Sequence, residues 1–430
     1  MALFRPARHC RVKVAVIGAG IIGITTAYEL AMDGHEVTVF ERHSAAAEET
    51  SFANAGIVAP GYVTPWAAPG MPGKVLSYLF SRHAPVRLSL PLSGQELAWM
   101  WKWMRACRLE TYLANRTRLQ RLAFYSRHRL HLLSAQRELE YEHSPGYMVL
   151  LRSEKDRLLV QPSLQVLHDA GVAFRQINAD EARQIEPALN PETALLGAIH
   201  LPDDEVANCR QFALLLKDEA LRLGVDFQFN TAVAQLDRSH LAIILIAGEP
   251  VPRRFDQVVM CAGLASAALV KPLGLNIPLA AVYGYSLSAP IRESLNAPLS
   301  ALMDERYKVA ISRLGNRVRV AGSAEIGGSL AHKREASIKT LYKVLQDWFP
   351  GAAQFANANG SVQVWKGARP MLPDGLPLIG HSGLPGLWLN LGHGSSGWAL
   401  SCGSARALAD LMAGRPAEID MEGLDLSRLG

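Results

Sequence analysis

The segment VIGAGIIGITTAYEL, residues 16–30, constrains this chain more than any other stretch. RVKVAVI before it is apolar and β-branched, the mark of a buried strand. After it, IIGITTAYELAMDGH keeps helical spacing through Ile22, Tyr28, Leu30 and Ala31 until Gly34. Strand, glycine turn and helix make half of a βαβ unit. Gly18, Gly20 and Gly23 form GxGxxG at the junction, and each answers a physical need: a tight turn, close approach of backbone to a pyrophosphate, and close packing of helix on strand. The helix start then offers free N–H groups and a positive dipole end to phosphate. A second strand, EVTVFER, ends at Glu41, where an acidic side chain accepts ribose hydroxyls and repels a 2'-phosphate. Glycine-rich turns also occur for structural reasons, so the pattern needs its context.

Which dinucleotide fits stays open on these residues. ETSFANAGIVAPGY, residues 49–62, takes the place of another regular βα repeat. Its small polar residues suit a backbone wrapping a bulky ligand, with Ser51 and Asn54 bonding phosphate or ribityl groups; they suit a turn-rich linker equally well.

Composition narrows the class. At 430 residues, 49% hydrophobic and 19% charged, the chain has the make-up of about two to three packed domains and not of a disordered protein. A net charge of +5 is too modest to mark a nucleic-acid binder. Cys10, Cys107, Cys209, Cys261 and Cys402 are scattered, with no CxxC pair and no metal-binding Cys/His spacing, so they read as reduced core residues of a cytoplasmic protein. MALFRPARHC carries positive charge without the apolar core of a signal segment. LAIILIAG at 241–248 has a strand's length and cannot span a bilayer, so any membrane association is peripheral.

Between Lys102 and Arg137 nine Lys or Arg stand against one acid, Glu110, while apolar residues at 119, 122, 130 and 133 keep helical spacing. That predicts a helix with one basic face, either solvated or docked on anionic lipid at the inner side of the cell membrane. The preceding LAWMWKWMRAC suits burial or an interfacial position. FDQVVMCAGLASAAL repeats the strand-glycine-helix junction at Cys261, Ala262 and Gly263, which sets it beside the first in a nucleotide-binding sheet. Residues 276–325 read as short alternating strands with LGN as a hairpin turn. The expected fold is α/β plus α+β. A discontinuous Rossmann-like dinucleotide domain (1–58, 203–272, 365–430) interleaves with an antiparallel-sheet substrate domain (59–202, 273–364).

Two stretches near the carboxyl end carry chemistry. In VWKGARPMLPDGLPLIG, Arg369 precedes proline and is held extended, so its guanidinium either grips a carboxylate in a pocket or lies in a surface turn. LWLNLGHGSSGWALSCGSARALADLMAGRP is a strand, a glycine-serine loop and a helix. Backbone N–H groups of Gly394, Ser395, Ser396 and Gly397, with the helix dipole, would stabilise negative charge that develops on a reduced cofactor. His393 adds a hydrogen bond or packs, and Cys402 packs its helix or links a flavin covalently.

VIGAGIIG, ETSFANAGIVAPGYVTPWAAPG, LPDDEVANC, GYSLS, RYKVAISR, GARPMLPDGLPLIG and LNLGHGSSGWALSCG together resemble the bacterial D-amino acid dehydrogenases of the glycine oxidase and D-amino acid oxidase superfamily. The likeness runs in order from about residue 12 to about 428. It implies FAD, oxidative deamination of D-amino acids to 2-oxo acids and ammonia by hydride transfer, and electrons passed to a respiratory acceptor. It carries flavin contacts onto Gly18, Gly20, Ile22, Gly23, Glu41, Arg42, Ser51, Asn54, Ala55, Gly56, Ile57 and Val233. It also carries them onto Cys261 to Gly263 and onto Gly392 through Gly397. Arg369 matches the carboxylate-binding position, and Tyr307 falls in the block whose aromatic lines the substrate pocket. Tyr283 stands where relatives have Lys, which leaves the pocket's polarity open. The resulting expectation is that Arg369 clamps the substrate carboxylate while Tyr307 or Tyr283 adds a hydroxyl and His393 assists. The alternatives are a dehydrogenase or oxidase of secondary amines such as proline, hydroxyproline, sarcosine, or of glycine, and a flavin-binding subunit without turnover.

Overall fold

The computed structural model describes residues 11–78, 83–237, 243–355 and 362–429; Cys10 lies outside them. One sheet has the order Leu378–His381, Leu387–Leu391, Gln257–Met260, Lys13–Ile17, Glu36–Phe40, Asp226–Gln228. It is parallel apart from the Leu378–His381 edge. Its central strand explains its own apolar letters. Val14 and Val16 pack into one hydrophobic cluster with the helices Ile21–Met32, Cys209–Arg222 and Gly397–Met412, whereas Ala15 and Ile17 pack into another on the opposite side. A strand buried on both faces has no reason to alternate polar with apolar.

The second sheet has the order Gln363–Met371, Ala280–Pro290, Arg317–Ile326, Val309–Leu314, Ala301–Asp304, Ser144–Leu151, Gly197–Val206, Ile57–Val58. Val86–Leu88 and Arg175–Asn178 pair beside this path. Most of its ladders are antiparallel, as expected, but Ser144–Leu151 with Ala301–Asp304, and Val86–Leu88 with Arg317–Ile326, run parallel. These parallel pairs join segments far apart in the chain, so no hairpin signal announces them. The boundaries expected at 58, 203 and 365 fall within strands of this sheet.

The basic stretch forms two helices, Gly94–Ala106 and Leu109–Arg137. The longer one crosses the last helix closely, since a Cβ on Gly403 would come within 2.8 Å of the Ser126 Cα. The expected basic face is not left to solvent. Arg118 pairs with Glu422, Arg121 with Asp420, Arg127 with Asp204 and Arg129 with Glu29. Arg116 is buried and Arg137 donates to the Tyr28 hydroxyl. The acids come from distant parts of the chain, which is why a local count of charge missed them. Lys102, Arg105 and Arg108 remain exposed beside Leu97, Trp101 and Met104, while Trp99 and Trp103 turn inward. No described helix is long and apolar enough to cross a membrane.

Candidate active site

A cavity of about 590 Å³ is lined from both sheets. At one end lies the glycine turn, where two of its glycines leave no room for a side chain. Gly18 has φ +105°, and a Cβ there would sit 2.6 Å from the Cys261 carbonyl oxygen. Gly23 faces not the cavity but its own strand, where a Cβ would lie 1.8 Å from the Gly18 carbonyl oxygen. The Glu41 carboxylate accepts from the amides of Ala19 and His43, and Ser51 Oγ accepts from the amide of Ile21. Loop 50–57 is stitched to the large sheet. Thr50 donates to the Ala368 carbonyl, Arg319 to that of Asn54, Ser312 to that of Ala55 and the Ala207 amide to that of Gly56.

Of the expected cofactor contacts, Gly18, Gly20, Ile22, Glu41, Arg42, Ser51, Asn54, Ala55, Gly56, Ile57 and Val233 line this cavity. Cys261, Ala262, Gly263 and Gly392 through Gly397 line it as well. Asn390 Oδ1, His393 Nε2 and Trp398 Nε1 are buried without a hydrogen-bond partner, and all three residues border the same space. Burial holds His393 near a pKa of about 3, so its ring is neutral. Cys402 lies in the helix core rather than on the cavity, its thiol pushed up to about 12 by burial. It packs.

Arg369 lines the cavity that the 394–397 loop borders. Its guanidinium donates to the Ser323 carbonyl at 3.0 Å and has no carboxylate partner among the described residues. Burial pulls its pKa down to about 10, which leaves it a cation at neutral pH. A partly buried charge that faces a cavity without a counter-ion is one that an anionic ligand can stabilise.

The expected tyrosines stand elsewhere. Tyr283 does not line the cavity; its ring lies under the Lys366 ammonium at 4.5 Å. Strand parity is the reason: Gly284 pairs with Gly367 and Val282 with Arg369, so Tyr283 projects from the other face. Tyr307 packs against Arg152 and His83, also away from the cavity. Tyr285 borders the cavity, but its hydroxyl donates to Glu325 and accepts from the Arg334 amide. Sequence reasoning missed Trp365, Gly284, Tyr62 and Lys308, all of which line the space. Parity with Arg369 along one strand would have marked Trp365.

A cradle for a dinucleotide that opens onto a partly buried cation with no described carboxylate is the layout of a nucleotide-cofactor oxidoreductase. Comparison makes the class specific: the chain belongs to the family described as FAD dependent oxidoreductase, whose model matches residues 13–411. FAD is its cofactor, and the glycine turn, the Glu41 carboxylate and the unpartnered buried polar atoms are fitted to hold it. Among solved structures, glycine oxidase from Geobacillus kaustophilus is similar, with TM-score 0.74 at 21% identity over 97% of this chain and 99% of that one. Iminodiacetate oxidase from Chelativorans sp. BNC1 gives TM-score 0.71 at 21% identity, over 96% and 98%. L-proline dehydrogenase from P. horikoshii gives 0.70 at 16%, over 97% and 98%. At these identities the likeness is one of fold.

Proposed function

We propose that this FAD-dependent oxidoreductase deaminates D-amino acids to 2-oxo acids and ammonia and passes the electrons to a respiratory acceptor. The observation that carries the reading is the Arg369 guanidinium, unpaired by any described carboxylate, on the cavity that the glycine-serine loop borders. The D-amino acid assignment rests on the sequence resemblance.

FAD, when bound, supplies a two-electron acceptor. Arg369 binds the substrate carboxylate with paired charge-assisted hydrogen bonds and so removes rotational freedom at the α-carbon. The 394–397 backbone and the start of the helix Gly397–Met412 present positive potential on the same side. His393 stays neutral and does not compete for the carboxylate. The amine enters unprotonated, and no side chain is assigned as base. Loss of hydrogen from the α-carbon and from nitrogen gives an imine, which water converts to the 2-oxo acid and ammonia. The face of Leu97, Trp101 and Met104, flanked by Lys102, Arg105 and Arg108, would meet an anionic lipid surface holding the acceptor.

The test is anaerobic mixing of the yellow protein with D- and L-alanine, D-proline, sarcosine and iminodiacetate. Loss of flavin absorbance with the D-amino acids alone is expected. Bleaching only by sarcosine, iminodiacetate or proline would assign a secondary-amine enzyme, and bound FAD that none of them bleaches would assign a non-catalytic subunit.

A further inference from the structure

Two glycines face one another in the wall of this cavity. Gly284 on the strand Ala280–Pro290 is paired with Gly367 on the strand Gln363–Met371, and both line the space. Side chains directly opposite in an antiparallel ladder share a face. Here that pair leaves a bare trough in the sheet, and two neighbours on the same strand and face as Gly367 fold into it from either side.

From one side, Arg369 reaches across Gly284. A Cβ on Gly284 would lie 2.4, 2.6 and 2.8 Å from the Nη2, Cζ and Nη1 atoms of Arg369. The reach ends on the Ser323 carbonyl of the next strand. Ser323 sits where the register slips between Tyr283 and Tyr285, with φ +65°, so a β-bulge aims that carbonyl. From the other side, Trp365 lies over Gly367, where a Cβ would be 1.7 Å from the ring's Cη2. Trp365 itself lines the cavity. Neither overlap can be relieved without moving the guanidinium or the indole.

We propose that the Gly284–Gly367 trough fixes the substrate's position, Gly284 by letting Arg369 lie flat and Gly367 by letting Trp365 lie beside it. Trp365 is then the specificity-determining wall that restricts the enzyme to compact α-substituents. The inference rests on the proposed role of Arg369 as carboxylate anchor. Gly284 and Gly367 are positioning residues that act through their neighbours.

The test uses the FAD-loaded enzyme and two carboxylates that are not turned over, acetate and benzoate, with binding read from the flavin absorbance change. Gly284→Ala is expected to weaken both about equally, on the order of 100-fold, close to the effect of Arg369→Leu. In an Arg369→Lys background the same glycine change should cost less than about 5-fold, because no guanidinium remains to be displaced. Trp365→Ala, which needs no extra room, should shift the benzoate-to-acetate affinity ratio at least about 10-fold toward benzoate, and Trp365→Phe should shift it less. Gly367→Ala should change that ratio too, through the displaced indole. Retained FAD and an unchanged melting temperature exclude general unfolding. If Gly284→Ala does not fold, the Trp365 pair and the double variant decide. An unaltered ratio in Trp365→Ala, or equal losses from Gly284→Ala in both backgrounds, would overturn the trough. If Arg369→Leu itself leaves acetate binding intact, the anchor reading fails instead.

Discussion

Arg406 is buried and Arg369 half-buried on a cavity wall, yet their charges are treated in opposite ways. Arg406, on the last helix, donates to Glu29, Asp33 and Asp410. Burial alone would disfavour its charge, but those carboxylates hold its pKa above the ordinary arginine value. Arg369 has one carbonyl and no described carboxylate, and burial takes it down to about 10. Arg319 shares that value and also lacks a described carboxylate, but it does not line the cavity itself; its donors go to Ser288 and the Asn54 carbonyl. Arg406 holds the fold together with its anions around it, whereas Arg369, proposed to hold a substrate, is left without them on a cavity wall.

The sharpest way to break this contrast is Arg406→Met. Removing it leaves Glu29 with Arg129 alone and Asp33 and Asp410 sharing Arg415, so unfolding free energy should fall by about 3 kcal/mol while KM barely moves. Urea unfolding with steady-state kinetics on the same preparation checks both halves. Arg369→Leu should do the reverse: catalytic efficiency with amino acids falls by about 3 kcal/mol, roughly a hundredfold or more, and stability is unchanged or rises. Unaltered efficiency there would remove the substrate role.

His393 extends the comparison to an unpartnered neutral group. Its folded pKa of about 3 lies below that of an unfolded histidine, so on acidification the unfolded chain binds the proton first. Its contribution is therefore flat above pH ~6.5 and costs about 1.4 kcal/mol per unit as pH falls toward the folded value. Urea midpoints across that window should slope more steeply in the wild type than in His393→Gln; parallel curves would refute the assignment. Smallest is the effect at the exposed cations. Changing Lys102 and Arg105 to Glu should weaken binding to phosphatidylserine vesicles by about 1 kcal/mol or more per site, whereas the same change at Arg118, already paired with Glu422, should do less.

Some of this was legible in the letters. The tight turn at Gly18, the close packing at Gly23 and the extended backbone at Arg369 before Pro370 follow from local sterics, and each is seen in the structure. The expectation that Tyr283 and Tyr307 line the pocket comes from the family resemblance, which matches letters and not strand faces. Strand parity turns the first away, and packing around Arg152 holds the second. The basic face between 102 and 137 looked free because its partners, such as Glu29 and Glu422, lie in other segments.

The bends of the backbone and the strands buried on both faces can be read from the letters, because those depend on side-chain size and polarity within a few residues. Which charges are neutralised, which have no described carboxylate, and that Gly284 lies opposite Gly367 emerge from the assembled fold. Those depend on sheet register and on contacts between segments hundreds of residues apart, and no local spacing encodes them.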